Sequence, residues 1–278
     1  AARHRLRLDD ELRRAVAGEE LELHYQPVVD LARGGVVAAE ALLRWRHPER
    51  GLLMPGTFVP VAEDSSLIAE IGRWTVRRAC RQARDWADAG HPLAVAVNIS
   101  ARQLGDPELV GHVGRAVEEA GIPPERLEIE LTESMAMADH GRSRSIVSGL
   151  RALGVGVAID DFGTGYASLS HLRLLDFTKL KIDREFVRGV ERDPVSQAIC
   201  GSLIELSRGL GLAALAEGVE TPEEVRHLRE RGCTLFQGNV FSGAVPAQAV
   251  AGTVRGIAEG LAGLALAGAD ATHPKPLR

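Results

Sequence analysis

Asp160 and Asp161 stand side by side at the end of an apolar run, Val155-Gly156-Val157-Ala158-Ile159, and Phe162-Gly163-Thr164-Gly165-Tyr166 follows as a glycine-punctuated loop. Leu169, Leu172 and Leu175 then fall on one face of a helical pattern, and a second apolar run, Thr178 to Ile182, carries Lys181 and closes on Asp183. Charges at the ends of apolar strands are costly to desolvate unless they are paired or bound to a cation, so metal binding is the chemistry this stretch suggests. Comparable groups stand at or near the carboxyl ends of other apolar runs: Glu40, Asn98, Glu130, Glu217 and Gln237. Singly, each has a plain reading as a cap, a solvated side chain or a salt-bridge partner. Their recurrence with one polarity argues for a shared site. The donors are all oxygen and the nine histidines are dispersed, which favours Mg2+ or Mn2+ over zinc or copper. So many carboxylates around one pocket suit two ions and phosphodiester cleavage. Asp161-Phe162-Gly163 matches the kinase magnesium tripeptide, but neither the kinase glycine loop nor its His-Arg-Asp loop is present.

The elements that must position these groups follow from periodicity. Leu21 to Asp30 alternates as a strand, and the short turn 31–35 leads to a second strand, Val36 to Leu43. A link that short predicts an antiparallel pair. A Pro/Gly-rich loop over 47–60 precedes a long amphipathic helix from about Ser65 to Ala89. Strands are then predicted at 93–99, 127–131, 155–159, 178–182, 212–216 and 234–236. Helices are predicted at 107–120, 139–153, 194–210 and 222–231, and an Ala/Gly-rich terminal helix at 247–267. Eight strands, the later ones alternating with helices, predict an α/β fold, a (βα)8 barrel with an antiparallel first strand. An open doubly wound sheet is the alternative. In a barrel the strand ends converge on one face, where active sites of this architecture lie.

The 278 residues are 45% hydrophobic and 26% charged, as in an ordinary globular protein, and the net charge of −5 argues against coating DNA. Cys80, Cys200 and Cys233 lie far apart, which predicts buried cytosolic thiols. No signal peptide or membrane-length apolar span is evident.

Taken together the motifs resemble a family. Glu40-Ala41-Leu42-Leu43-Arg44-Trp45 is the signature that names the EAL domains, bacterial cyclic-di-GMP phosphodiesterases. Beside it stand Gln26-Pro27-Val28-Val29-Asp30, Asn98-Ile99-Ser100, Glu130-Leu131-Thr132-Glu133, Asp160 to Tyr166, Lys181-Ile182-Asp183, Glu217-Gly218-Val219-Glu220 and Gln237-Gly238. The resemblance covers about residues 20–246. It implies hydrolysis of cyclic-di-GMP to linear pGpG with two Mg2+ or Mn2+ ions, held by Glu40, Asn98, Glu130, Asp160, Asp161 and Asp183. Catalytic roles are implied for Glu217 as general base, Lys181 as the holder of the attacking water or a phosphate oxygen, and Glu40 and Asp161. Substrate contacts are implied for Gln26, Leu42, Arg44, Asn98, Asp161, Tyr166, Glu220 and Gln237. Glu133 resembles the glutamate that anchors the loop after Asp161.

A cytoplasmic homodimer, free or as part of a membrane-anchored sensor, is also implied. So are a linker helix at 1–17 from an upstream sensory or GGDEF domain, a catalytic domain at 18–262 and a tail at 263–278. The chain departs from the family pattern at Ala167, at Asn239 and near Gly243-Ala244, the latter two bordering the implied substrate rim. The alternative function is a sensor that binds the nucleotide without cleaving it; the intact set of ligand and base residues favours the enzyme.

Overall fold

The structure is a computed structural model that describes residues 2–18, 20–163 and 174–269. Its frame starts from the hairpin of β1 (Leu21–Asp30) and β2 (Gly35–His47). Gly34, at φ 71°, lies in the left-handed region that so tight a reversal needs. The remaining strands are β3 (Gly51–Leu53), β4 (Ala94–Asn98), β5 (Leu127–Thr132), β6 (Gly156–Phe162), β7 (Lys179–Ile182), β8 (Ala213–Glu217), β9 (Leu235–Gln237) and β10 (Val245–Pro246). The sheet runs β10-β1-β9-β8-β7-β6-β5-β4-β2-β3, and β1 also pairs with β2. That last pairing closes a ring of eight strands, with β3 and β10 attached outside it. β1 is antiparallel to both β2 and β9, while the pairs from β2–β4 round to β8–β9 are parallel. The protein is a (βα)8-type barrel with a reversed first strand, and the open-sheet alternative is ruled out by closure.

Strand alternation explains what fills each side. Outward residues such as Val95, Val97, Ile129, Leu131, Val157, Ile159, Leu180, Ile182 and Phe236 join the large core shared with the helices. Tyr25 meets Trp86 of the long helix Leu67–Asp88 edge to face, with ring centroids 4.7 Å apart. Inside the ring, Val28, Ala38 and Leu215 form a small apolar cluster. Lys179 and Glu128, paired at 2.6 Å, lie two residues before Lys181 and Glu130 on their strands.

A second core gathers Leu8, Leu12 and Ala15 of the helix Ala2–Ala17 against Trp45, Phe58 and Ile71. The expected loop over 47–60 is not all loop. β2 continues past Leu43 to His47 and pairs with β3, and Pro55–Asp64 is a helix with Pro55 in its first turn. Proline there needs no N–H and presets φ, a start signal that the loop reading overlooked. Phe58, Val61 and Ala62 then bury the helix against the second core. The short helix Glu133–Ala138, capped by the Thr132 side chain, was also not anticipated. The terminal helix runs over Val250–Ala269. Tyr166, Leu169 and Leu172 lie outside the described residues. Cys80, Cys200 and Cys233 are buried, and burial pushes the Cys80 thiol up to about 12.

Candidate active site

Strand register brings the polar residues into one plane. Glu40 on β2 sits opposite Gln26 on β1, Asn98 on β4 opposite Glu130 on β5, and Glu217 on β8 opposite Gln237 on β9. At their centre is Lys181, 1% exposed. Its Nζ lies 2.7 Å from Glu217 Oε1, 2.8 Å from Glu130 Oε2, 3.1 Å from Asp160 Oδ2 and 4.0 Å from Glu40 Oε1. Asn98 donates to Glu40 Oε1 at 2.6 Å. Gln237 donates to Glu40 Oε2 at 2.5 Å and to Gln26 Oε1 at 3.2 Å, and Gln26 in turn donates to the Ser242 carbonyl. Every oxygen of Glu40 is thereby held.

Asp161 enters this site through a bulge. Ile159 pairs with Leu180 and Phe162 with Ile182, so two residues of β6, Asp160 and Asp161, face the single residue Lys181 of β7. In an unbroken strand neighbouring side chains point to opposite faces; the extra residue turns Asp161 back toward Asp160. Its φ of 54° makes it the only non-glycine in the left-handed region among the described residues, and aspartate tolerates that region better than most. Oxygens of Asp160, Asp161 and Glu217 come within 4.8 Å of one another. Phe162 returns to the outer core, and Gly163 N–H donates to Oε2 of the buried Glu133 at 2.8 Å. Asp183 stands beside this group and caps the short helix Arg184–Val187 through Glu185 N–H at 2.7 Å.

Four carboxylates around one ammonium leave an excess of negative charge in a poorly solvated place. Burial lowers the pKa of Lys181, but the carboxylates outweigh it and raise it well above the usual lysine value. Burial raises Glu40 as well, yet Lys181, Gln237 and Asn98 bring it below its ordinary value. Glu130 is pushed well up by burial, with Lys181 opposing and Glu40 and Asp160 reinforcing. Glu217 is raised to about 8 by burial, against the pull of Lys181. Asp161 is raised to about 6 by burial and by Asp160 and Asp183. The donors are oxygens of the kind hard cations select, and a cation among them would offset the crowding of negative charge. The Gln237 Oε1 atom is buried without a hydrogen-bond partner. These residues fit a metal centre.

Above the cluster opens a cavity of about 1030 Å3. Of the residues expected to touch substrate, Gln26, Leu42, Asp161, Glu220 and Gln237 line it. Arg44 lies deeper, 8% exposed, with one guanidinium nitrogen on the Leu43 carbonyl and its Nε buried without a partner. Asn98 sits at the strand end and reaches Glu40. Tyr166 is outside the described residues. The cavity also brings in Arg184, Glu185 and Arg188, which sequence reasoning did not single out, and Asn239, which it set at the substrate rim. The signal available was the pair of arginines four apart directly after Asp183. Close approach of two turns shapes this wall: a Cβ on Gly238 would collide with the Val219 backbone, and one on Gly218 with Arg184.

The family model for the EAL domain matches residues 9–244. The chain belongs to the EAL domain family. This EAL domain is 43% identical over 254 residues to the bifunctional diguanylate cyclase/cyclic di-GMP phosphodiesterase MucR of Pseudomonas aeruginosa, covering 91% of the chain and 37% of that relative. It is 44% identical over 250 residues to the cyclic di-GMP phosphodiesterase NbdA of the same organism, covering 90% of the chain and 32% of the relative. The chain therefore spans about a third of the length of these curated relatives. Among solved structures, the MucR phosphodiesterase in complex with c-di-GMP aligns with a TM-score of 0.84 at 43% identity, over 88% of this chain and 99% of that one. The FimX EAL domain from Pseudomonas aeruginosa, bound to c-di-GMP, aligns with a TM-score of 0.79 at 26% identity, over 86% of this chain and 96% of that one.

Proposed function

We propose that this EAL domain hydrolyses cyclic-di-GMP to linear pGpG. The observation that carries the reading is the ring of four carboxylates around Lys181, completed by Asp161, beneath an open cavity wide enough for a cyclic dinucleotide. The similarity to MucR and NbdA supports the same substrate.

Glu40, Asn98, Glu130, Asp160, Asp161 and Asp183 are the residues that would hold the cations. Bound there as a pair, Mg2+ or Mn2+ would supply the charge that lets a phosphate enter an acidic pocket and would polarise the scissile phosphodiester. The chain's own groups do the rest. Lys181, its three N–H groups directed at Glu217, Glu130 and Asp160, would turn one of them to the attacking water or a phosphate oxygen. Glu217, at 2.7 Å from Lys181, accepts the proton of that water. The water oxygen bonds to phosphorus in line with the 3′ oxygen, the P–O3′ bond breaks with its electron pair on O3′, that oxygen takes a proton from solvent to become a hydroxyl, and the ring opens to pGpG with its 5′ phosphate. Gln237 positions Glu40 and borders the incoming ligand, and Gln26, Leu42, Arg44, Glu220 and Tyr166 contact the dinucleotide. Glu133 anchors the loop after Asp161 through Gly163. The domain acts as a homodimer within a longer protein with an upstream sensory or GGDEF region, on the cytoplasmic side; no described helix is long and apolar enough to cross a membrane.

Purified protein incubated with cyclic-di-GMP should form pGpG with Mg2+ or Mn2+ and none with chelator. Tight binding of cyclic-di-GMP without pGpG, metals present, would replace the enzyme by the sensor reading.

A further inference from the structure

Cyclic-di-GMP carries two phosphodiesters, and only one can sit over the carboxylate cluster at a time. The other stays at the mouth, whose wall includes Glu185 and Glu220, both acidic. A second phosphate there is repelled unless a cation meets it. The wall also holds two arginines, Arg184 and Arg188, on the turn that Asp183 caps. Arg188 Nη2 lies 2.5 Å from Glu220 Oε1, with side chains 69% and 42% exposed. An ion pair so open to water is weak and easily exchanged for another anion.

The backbone beneath the pair is held much more firmly. Glu224, 3% exposed, accepts from Gly189 N–H at 2.8 Å, from Glu220 N–H at 2.7 Å and from Thr221 N–H at 3.0 Å. One buried carboxylate thus clamps the turn after Arg188 to the turn that carries Glu220. Arg184 is set on the same wall by the packing of its side chain over Gly218. The result is a solvent-exposed pair of charges on a firmly hydrogen-bonded base, and a guanidinium fork matches phosphate oxygens.

We propose that Arg184 and Arg188 bind the phosphodiester that is not being cleaved, Arg188 leaving Glu220 for phosphate as the substrate enters. The exchange frees the Glu220 carboxylate to accept from a guanine edge. Glu224 is a positioning residue that acts through both. This rests on cyclic-di-GMP being the substrate.

The test is steady-state hydrolysis of cyclic-di-GMP with Mn2+ by the parent protein, R184Q, R188Q and R188K, together with thermal melting and the Mn2+ concentration for half-maximal rate. Each glutamine variant should raise KM about tenfold with kcat within about twofold. The fall of kcat/KM with added salt should become shallower, and R188K should recover part of the loss. Melting temperature and the Mn2+ midpoint should stay at parental values. Parental KM in both glutamine variants overturns the proposal. So does a shift of the Mn2+ midpoint alongside KM, since distortion of the Asp183 turn then accounts for the loss. A parent protein that forms no pGpG refutes the substrate reading instead, and if it binds cyclic-di-GMP without cleavage, dissociation constants from direct titration decide between tenfold weakening and none.

Discussion

At the scale of single residues the site is governed by one buried ammonium. Removing one partner of a buried charge network leaves the others uncompensated, typically at about 3–5 kcal/mol. Lys181→Met should therefore lower the melting temperature of the metal-free protein well beyond the loss expected from packing, and abolish turnover. Added Mn2+ should recover much of the stability but none of the activity; melts with and without metal check this. The titration of the carboxylates gives a second expectation. Glu217 is raised from 4.5 to about 8 and Asp161 from 3.8 to about 6. A carboxyl with a raised folded-state pKa stabilises fully below its unfolded value and loses that contribution as pH rises through the folded one. The metal-free fold should thus weaken between about pH 4 and 8, and cation binding should release protons and tighten as pH climbs from 6 to 8. Calorimetric titration of Mg2+ in two buffers of different ionisation enthalpy measures the released protons; heats that do not depend on buffer would contradict it.

At the scale of elements the decisive piece is the bulged end of β6. It needs a residue that accepts positive φ at 161 and an acceptor for the Gly163 N–H, and Glu133 provides the latter from the start of the neighbouring helix. Glu133→Ala leaves that N–H without this partner, at a cost of about 1–3 kcal/mol. The loosened bulge should raise the Mn2+ concentration for half-maximal activity severalfold while nucleotide binding at saturating metal changes less. An unchanged metal dependence would detach Glu133 from the site. The helix Ala2–Ala17 is the other informative element. Leu12 is fully buried in a core it shares with Trp45, which lies on the same strand as Glu40 and Arg44. Leu12→Ala should destabilise by about 2–5 kcal/mol, read as an earlier unfolding midpoint in urea. Substitution of an exposed residue of that helix, such as Arg13→Ala, should shift the midpoint far less.

At the scale of the whole molecule, closure of the ring is what turns separate strand ends into a site. The polarity of those ends was legible in order along the chain: Glu40, Asn98, Glu130, the Asp160 pair, Lys181, Glu217 and Gln237 each follow an apolar run, and the short first hairpin announced a reversed β1. Periodicity is a local property, so strands, helices and the residue at each strand end could be read without coordinates. The helix Pro55–Asp64 escaped because Pro and Gly density suggested loop, while its apolar face is defined only by Trp45 and Ile71 from elsewhere. Distances between β2, β5, β6, β7 and β8 depend on register and closure, which no local pattern encodes. Only the folded barrel decided that Lys181 is enclosed by four carboxylates, that a bulge turns Asp161 inward, and that two arginines reach the mouth beside Glu220. The types and order of the reactive groups belong to the sequence because chemistry resides in side chains; their convergence belongs to the tertiary structure because it is made by contacts between segments far apart along the chain.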